Sequence, residues 1–146
     1  MSEVSETIAI ESSLAEVWDA YFDQSGWRRW VEGFASVESE SGYPERGGTL
    51  RWRSNPAGRG VVTERVLDHE PRRRHRISFS DPESEGELET TFEIRGESVS
   101  VTQRTAYKVL HPGILGPLTD YLFVRRQVAG SLARSLNHLK HELEAN

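Results

Sequence analysis

Residues 116–146 read GPLTDYLFVRRQVAGSLARSLNHLKHELEAN, and this stretch decides the fold. At 100° per residue its apolar side chains form one stripe, which consists of Leu118, Leu122, Ala129, Leu132, Leu136, Leu139 and Leu143. Pro117 suits the first position of a helix, where its missing N–H leaves no hydrogen bond unmade. The pattern predicts a helix from Pro117 to Leu143, about 40 Å long at about 1.5 Å per residue. Because such a helix is longer than a small domain is wide, other elements must wrap around it.

The chain before this helix alternates between apolar and polar residues, a pattern typical of antiparallel strands. We predict a first strand over 3–10, a helix from Leu14 to Phe22 capped by Ser13, and a short helix over 27–31. Six further strands are predicted at 34–40, 48–54, 60–68, 73–80, 86–94 and 99–109, separated by turns rich in glycine and proline. One face of these strands is apolar and the other is mostly charged, so the final helix should cover one side of a seven-stranded sheet.

Length and composition restrict the class of protein. The 146 residues are enough for one domain, which we expect to span 1–146. A net charge of −5 argues against nucleic acid as the main partner, and the absence of cysteine excludes disulfides and thiolate chemistry. Residues 1–13 lack the basic start and apolar run of a signal peptide, and no segment is apolar enough to span a bilayer. We therefore expect a cytoplasmic protein that does not insert into membranes.

The predicted order of one strand, two short helices, six strands and a long helix resembles the helix-grip fold of the START-like (SRPBCC) superfamily. The motifs similar to its polyketide cyclase/dehydrase and lipid-transport-like family are IAI at 8–10, LAEVW at 14–18, WRRW at 27–30, GG at 47–48, EPRR at 70–73 and the leucine pattern over 131–143. The resemblance implies an α+β fold in which a curved seven-stranded antiparallel sheet wraps around the C-terminal helix. It also implies a cavity between them for a hydrophobic or amphipathic small molecule, and no cofactor. No short catalytic signature matches, so no catalytic residue is carried over.

Arg125 is an exception on the predicted helix, because the stripe places it among leucines. A buried guanidinium without an anion costs too much free energy, so the side chain needs a partner or a route to water. Two interpretations remain open. In the first, Arg125 pairs with a sheet carboxylate such as Glu64 or Glu89, or extends to the rim. In the second, it anchors a carboxylate or phenolate of the ligand.

The wall of the cavity is predicted from side chains on the inner faces of the sheet and the helix. The ligand-binding candidates are Trp27, Trp30, Trp52, His75, Phe79, Phe92, Gln103, Thr105, Tyr107, Leu118, Leu122 and Arg125. A single aromatic residue is more often core than pocket wall, but the set favours a pocket because the sheet and the helix cannot close fully. Polar groups on the inner face fit a ligand site better than a packed core.

His75 and Tyr107 are the candidates for catalysis. A histidine can act as a general base near neutral pH and a tyrosine can donate a proton, which would suit cyclisation or dehydration of a polyketone. The alternative is a structural histidine beside the basic run at 72–76, which we interpret as a solvated hairpin. His138 and His141 lie three residues apart, but two ligands do not make a metal site, so we expect no metal.

Three functions remain open: a carrier or sensor of a hydrophobic or aromatic small molecule, a cyclase or dehydratase, and a protein-interaction module like the chaperone-activating relatives of the superfamily. The interior separates them. Apolar walls alone favour the carrier, convergent polar groups favour the enzyme, and a closed core favours the interaction module. The apolar segment 113–116 and Phe123 could form a gate or a dimer contact, so both a monomer and a homodimer are compatible with the sequence.

Overall fold

The computed structural model describes residues 2–110 and 117–145, with the backbone alone for 117–120. In chain order the elements are β1 (Ser2–Ile10), α1 (Leu14–Phe22), a 3-10 turn (Gln24–Gly26), α2 (Trp27–Trp30), β2 (Phe34–Ser41), β3 (Thr49–Ser54), β4 (Val61–Glu70), β5 (Arg74–Ser80), β6 (Ser84–Arg95), β7 (Ser98–Val109) and α3 (Pro117–Glu144). The predicted order is confirmed, with element ends displaced by at most two residues. No helix in the described ranges is both long and apolar enough to cross a membrane.

The strands form a single antiparallel sheet in the order β1-β7-β6-β5-β4-β3-β2. β1 lies beside β7, with Ser2 opposite Tyr107 and Ile10 opposite Val99. The register shifts within β2 and again within β4, between Val66 and Asp68. Because bulges increase local twist, these shifts help the sheet to curve around α3.

The two short helices place their apolar faces in the core. α1 begins at Ser13, whose side chain accepts a hydrogen bond from the backbone N–H of Glu16 at 3.1 Å. Val17 and Tyr21 of α1 are buried, as are both tryptophans of α2. The predicted cap and the predicted pair of tryptophans on one face are therefore confirmed.

The C-terminal half of α3 packs as the apolar stripe predicts, with Leu136 and Leu139 fully enclosed in the core. The N-terminal half differs, because Leu122 is 53% exposed, whereas the half-buried residues of 121–130 are Val124, Val128, Ala129 and Gly130. Helix geometry is one reason. At about 100° per residue, Leu122 lies about 100° around the helix from Leu139, whereas Val128 and Val124 lie within about 60° of Leu139 on the other side.

Cations on α3 cover the free edge of β1. The Arg125 guanidinium donates to the backbone carbonyl of Glu3 at 2.6 Å, and the Lys140 ammonium donates to that of Ala9 at 2.7 Å. An edge strand otherwise presents unpaired backbone groups to solvent. These hydrogen bonds therefore satisfy two carbonyls of the edge and hold α3 along it.

Candidate ligand-binding cavity

The sheet and α3 enclose two adjoining compartments. The inner compartment, about 130 Å³ in volume, lies beside α2. The outer compartment, about 310 Å³, lies beside the N-terminal half of α3. The residues that line both compartments, which we call the junction, are Arg59, Glu64, Ile77, Leu88, Ser131 and Leu132. An apolar cavity of about 150 Å³ holds benzene and small-molecule sites begin at about 300 Å³, so the inner space suits one ring and the outer space suits more.

Aromatic rings form much of the inner wall. Trp27 and Trp30 come from α2 and Trp52 from β3, and each is 5–6% exposed. The ring of Trp30 lies 5.1 Å from that of Tyr21, and the ring of Trp52 lies 5.5 Å from that of Phe34. The structure thus brings the three predicted tryptophans together around one compartment.

The two phenylalanine candidates, Phe79 and Phe92, have different positions. Phe79 of β5 lines the outer compartment. Phe92 lines neither compartment, because its ring packs in the core at 4.9 Å from Trp18 and 5.3 Å from Tyr21. Its predicted position in the cavity wall is therefore corrected to a position in the core.

A buried polar network lies in the inner wall. The Tyr21 hydroxyl lies 2.7 Å from the Thr90 hydroxyl and accepts a hydrogen bond from Gln103 Nε2 at 3.0 Å. Burial raises the pKa of Tyr21 to about 12, against the opposing effect of these hydrogen bonds and with a smaller contribution from the charge of Glu64. Tyr21 is therefore a neutral phenol that orients the Gln103 amide.

Three buried polar atoms in the inner wall have no hydrogen-bond partner among the residues that the structure describes. They are Trp30 Nε1, His75 Nε2 and Gln103 Oε1. The indole is a donor, the amide oxygen is an acceptor, and the imidazole nitrogen is either, depending on its tautomer. Buried polar groups are almost always paired with protein or with water, so these three atoms are available to pair with a bound molecule or with water.

His75 is a neutral ring at physiological pH. Its Nδ1 lies 3.0 Å from Nδ1 of His69, the residue opposite it in the β4–β5 pairing. Burial, and next the neighbouring His69, lowers the pKa of His75 to about 3. A general base works best with a pKa near the working pH, so this ring is better suited to hydrogen bonding than to proton abstraction.

Glu64 is the carboxylate at the junction. Its Oε2 accepts a hydrogen bond from the Trp52 indole at 2.8 Å. Burial raises the pKa of Glu64, against the opposing effects of that hydrogen bond and of the charge on Arg59. Within 2–110 and 117–145 no arginine or lysine is close enough to form an ion pair with it.

Arg59 is the cavity arginine that the sequence did not single out. It lies in the β3–β4 turn beside Gly60, whose φ of +85° favours glycine. Its guanidinium donates to Asp81 at 2.8 Å and lies 5.0 Å from the ring centre of Phe79 and 5.8 Å from that of Trp52. No local pattern marks this role, because the side chain crosses to a neighbouring hairpin to reach Asp81.

Thr105 and Tyr107 line the outer compartment, whereas His75 lines the inner one. The Thr105 hydroxyl donates to the backbone carbonyl of Glu87 at 2.9 Å. Burial raises the pKa of Tyr107, against smaller opposing effects of Ser2 and Arg125. The structure therefore does not bring His75 and Tyr107 together in one compartment as a catalytic pair.

The N-terminal half of α3 contributes differently from the prediction. Arg125 is exposed, bonds the backbone of β1 and lines neither compartment, so it reaches the rim and pairs with neither Glu64 nor Glu89. Leu122 also lines neither compartment. The side chain of Leu118 and the segment 113–116 lie outside the described residues. Phe123 is 62% exposed.

The basic run at 72–76 is largely neutralised within the sheet. Arg74 pairs with Asp68 and Glu70, and Arg76 pairs with Glu87 at 2.8 Å. These ion pairs agree with the interpretation of a solvated hairpin. In the part of the chain that the structure describes, no three metal-binding side chains are close enough to hold an ion.

Comparison with known proteins decides the family. A model of the family described as polyketide cyclase/dehydrase and lipid transport matches residues 1–144. The chain belongs to this family. A search of curated protein sequences found no match.

Solved structures share the START-like helix-grip fold of this polyketide cyclase/dehydrase and lipid-transport family member. The Zhui aromatase/cyclase from Streptomyces sp. R1128 is 19% identical with a TM-score of 0.79, covering 98% of this chain and 93% of that one. The Aha1 dimer from Colwellia psychrerythraea is 18% identical with a TM-score of 0.71, covering 99% and 97%. A START superfamily protein from Mycobacterium smegmatis is 14% identical with a TM-score of 0.74, covering 98% and 97%. At these identities the likeness shows the fold alone.

Proposed function

We propose that this protein binds a small aromatic, amphipathic molecule that extends through both compartments. The observation that carries the proposal is the set of unpartnered polar atoms of Trp30, His75 and Gln103 in an otherwise aromatic wall. Each buried unsatisfied group costs about 1–3 kcal/mol, and a ligand with matching groups removes that cost. The open interior does not support the interaction-module interpretation, for which we expected a closed core.

The shape of the cavity supports a particular mode of binding. One ring would occupy the inner compartment against Trp27, Trp30 and Trp52, where aromatic packing adds to the burial of apolar surface. The indole of Trp30 would donate to an oxygen of the ligand, and the amide oxygen of Gln103 would accept from a hydroxyl or amine. The rest of the molecule would pass Ser131 and Leu132 into the outer compartment.

The test is binding of a neutral aromatic alcohol, naphthylmethanol, measured by isothermal titration calorimetry. Ser131→Phe places a ring in the junction and is expected to weaken binding at least about tenfold, because the larger side chain takes the space of the ligand. His138→Phe is the matched control, since it adds the same ring to an exposed position of the same helix. Equal affinities of wild type and Ser131→Phe, with both folded by circular dichroism, would contradict the proposal. Native mass spectrometry of freshly purified protein would show whether a small molecule is already bound.

A cyclase or dehydratase is the second candidate, and Glu64 is the observation that favours it. The polar groups converge as expected for an enzyme, and burial raises the pKa of this junction carboxyl, which suits proton transfer. The experiment is cyclisation of an aryl methyl 1,3,5-triketone by intramolecular aldol condensation with loss of water, followed by absorbance. Activity lost in Glu64→Gln but kept in His75→Phe would assign proton transfer to Glu64. An unchanged rate in Glu64→Gln would reject that role.

A further inference from the structure

We propose that the ligand carries a positively charged amine or ammonium group, and that this group sits at the junction beside Glu64. The inference rests on the proposed function, because it specifies the chemistry of the molecule that occupies the two compartments. It is carried by the balance of charges around the cavity and by the aromatic rings beside Glu64.

Most charged side chains around the cavity already have partners. Both carboxylate oxygens of Glu32 lie 2.8 Å from Arg134 Nε and share its N–H, and Asp81 accepts a hydrogen bond from Arg59 at 2.8 Å. The Asp81 side chain is only 4% exposed, and this ion pair occupies the only guanidinium among the described residues that line the two compartments. Glu64 remains at the junction as a carboxylate that forms no ion pair with the described residues, and the charge of Arg59 acts on it only from beyond ion-pair distance.

The hydrogen bonding of Glu64 leaves room for a ligand. The Trp52 indole donates to Oε2 at 2.8 Å and fixes the orientation of the carboxylate. No hydrogen bond to Oε1 is made by the residues that the structure describes. Because Glu64 lines both compartments, a group bonded to Oε1 can belong to a molecule that spans the junction. A charged N–H donor is the strongest partner for a carboxylate oxygen.

The rings near Glu64 already accept a cation. The Arg59 guanidinium lies 5.0 Å from the ring centre of Phe79 and 5.8 Å from that of Trp52, within the range of cation–π attraction. Trp52 therefore holds the carboxylate by its indole N–H and contacts a cation with its ring system. A second cation on the inner side would meet the tryptophan, tyrosine and phenylalanine rings that form the wall there.

When Glu64 is ionised, its negative charge acts on groups in the inner compartment. Burial raises the pKa of Tyr43, and the charge of Glu64 raises it further; the same charge adds to the raised pKa of Tyr21. Both tyrosines line the inner compartment, so an anion there would meet the same repulsion. The positive charge proposed for the ligand is opposite to the negative charge that an Arg125 anchor would require.

Three probes with the same ring and different charge test the inference: naphthylmethylamine, naphthylmethanol and naphthoate. Calorimetry at pH 7.5 is expected to show the amine binding about tenfold or more tightly than the alcohol, and naphthoate binding most weakly. In Glu64→Gln, which keeps the size and the acceptor for Trp52, the amine should lose this advantage while the alcohol still binds. Glu64→Asp retains the charge and should restore most of the preference.

Glu97→Gln is the matched control, because it removes one negative charge from an exposed turn between β6 and β7. It should leave the preference for the amine unchanged. Equal binding of amine and alcohol by the wild type, or an undiminished preference in Glu64→Gln, would overturn the inference while the proposed function stands. If none of the three probes binds to the wild type, both the inference and the proposed function are rejected.

Discussion

Replacing His75 with phenylalanine is expected to reduce the loss of stability on going from pH 7.5 to pH 5. In the folded protein, burial lowers the pKa of His75 from 6.5 to about 3, so the ring stays neutral throughout this range. In the unfolded chain the same ring takes up a proton below pH 6.5. Stability from this group is therefore complete above pH 6.5 and is lost progressively as the pH falls toward 3.

The magnitude follows from the two pKa values. At pH 5 the unfolded ring lies about 1.5 pH units below its pKa, and protonation then favours the unfolded chain by about 2 kcal/mol. Phenylalanine does not titrate, and it retains a ring that can pack near Phe22 and Tyr43, which lie 4.8 Å and 5.7 Å from the imidazole. The variant should therefore lose about 2 kcal/mol less than the wild type between pH 7.5 and pH 5.

The assay is urea unfolding followed by tryptophan fluorescence at several pH values, with extrapolation to zero denaturant. Burial lowers the pKa of His69 as well, and this residue loses its Nδ1 contact in His75→Phe, so the comparison is repeated in a His69→Phe background. His138→Phe is the control for the loss of a histidine, because His138 is exposed on α3. Parallel curves for wild type and His75→Phe would refute the assignment of His75 as a ring that folds uncharged.

Three further predictions concern the polar network, the register of α3 and Arg125. Gln103→Met removes an unpartnered buried oxygen along with the hydrogen bond to Tyr21. The free energy of unfolding should therefore rise by about 1 kcal/mol, while naphthylmethanol should bind more weakly. A lower free energy of unfolding would argue against an unsatisfied amide. Leu139→Ala should lower the free energy of unfolding by about 3 kcal/mol in chemical denaturation, and Leu122→Ala should lower it by less than about 1 kcal/mol. The reason is that the Leu139 side chain is fully buried and Leu122 is 53% exposed. Equal losses would contradict the observed helix face. Arg125→Leu should leave the affinities for naphthylmethanol and naphthoate unchanged in calorimetry, since Arg125 bonds the backbone of β1. A selective loss of naphthoate binding would instead support Arg125 as the residue that binds an anionic group of the ligand.

Local chemistry accounts for the parts of the fold that the sequence predicted correctly. The Ser13 cap, the turns and the period of alternation each depend on residues close in the chain, so the order of the elements followed from the sequence. Thr90 and Phe92 are both buried on β6, two residues apart, as alternation along a strand requires. The same alternation places Glu64 on the inner face of β4, because it falls between the buried Val62 and Val66.

The remaining site residues depend on contacts between distant parts of the chain. Arg59 becomes a cavity residue only because two hairpins bring it to Asp81, 22 positions away. Phe92 satisfies the same alternation as the cavity residues, yet α1 covers it with the ring of Trp18. Periodicity predicts which face a side chain is on, but it does not predict what covers that face.

The sequence by itself determined a long amphipathic helix, seven strands and the family fold, because short-range patterns and their order carry that information. Only the tertiary structure decided which arginine borders the cavity. Arg125 is exposed and bonds the open edge of β1, whereas Arg59 folds over the rings of Phe79 and Trp52. It also decided that the unpaired charge at the junction is the negative one of Glu64, because pairing with Asp81 already occupies Arg59.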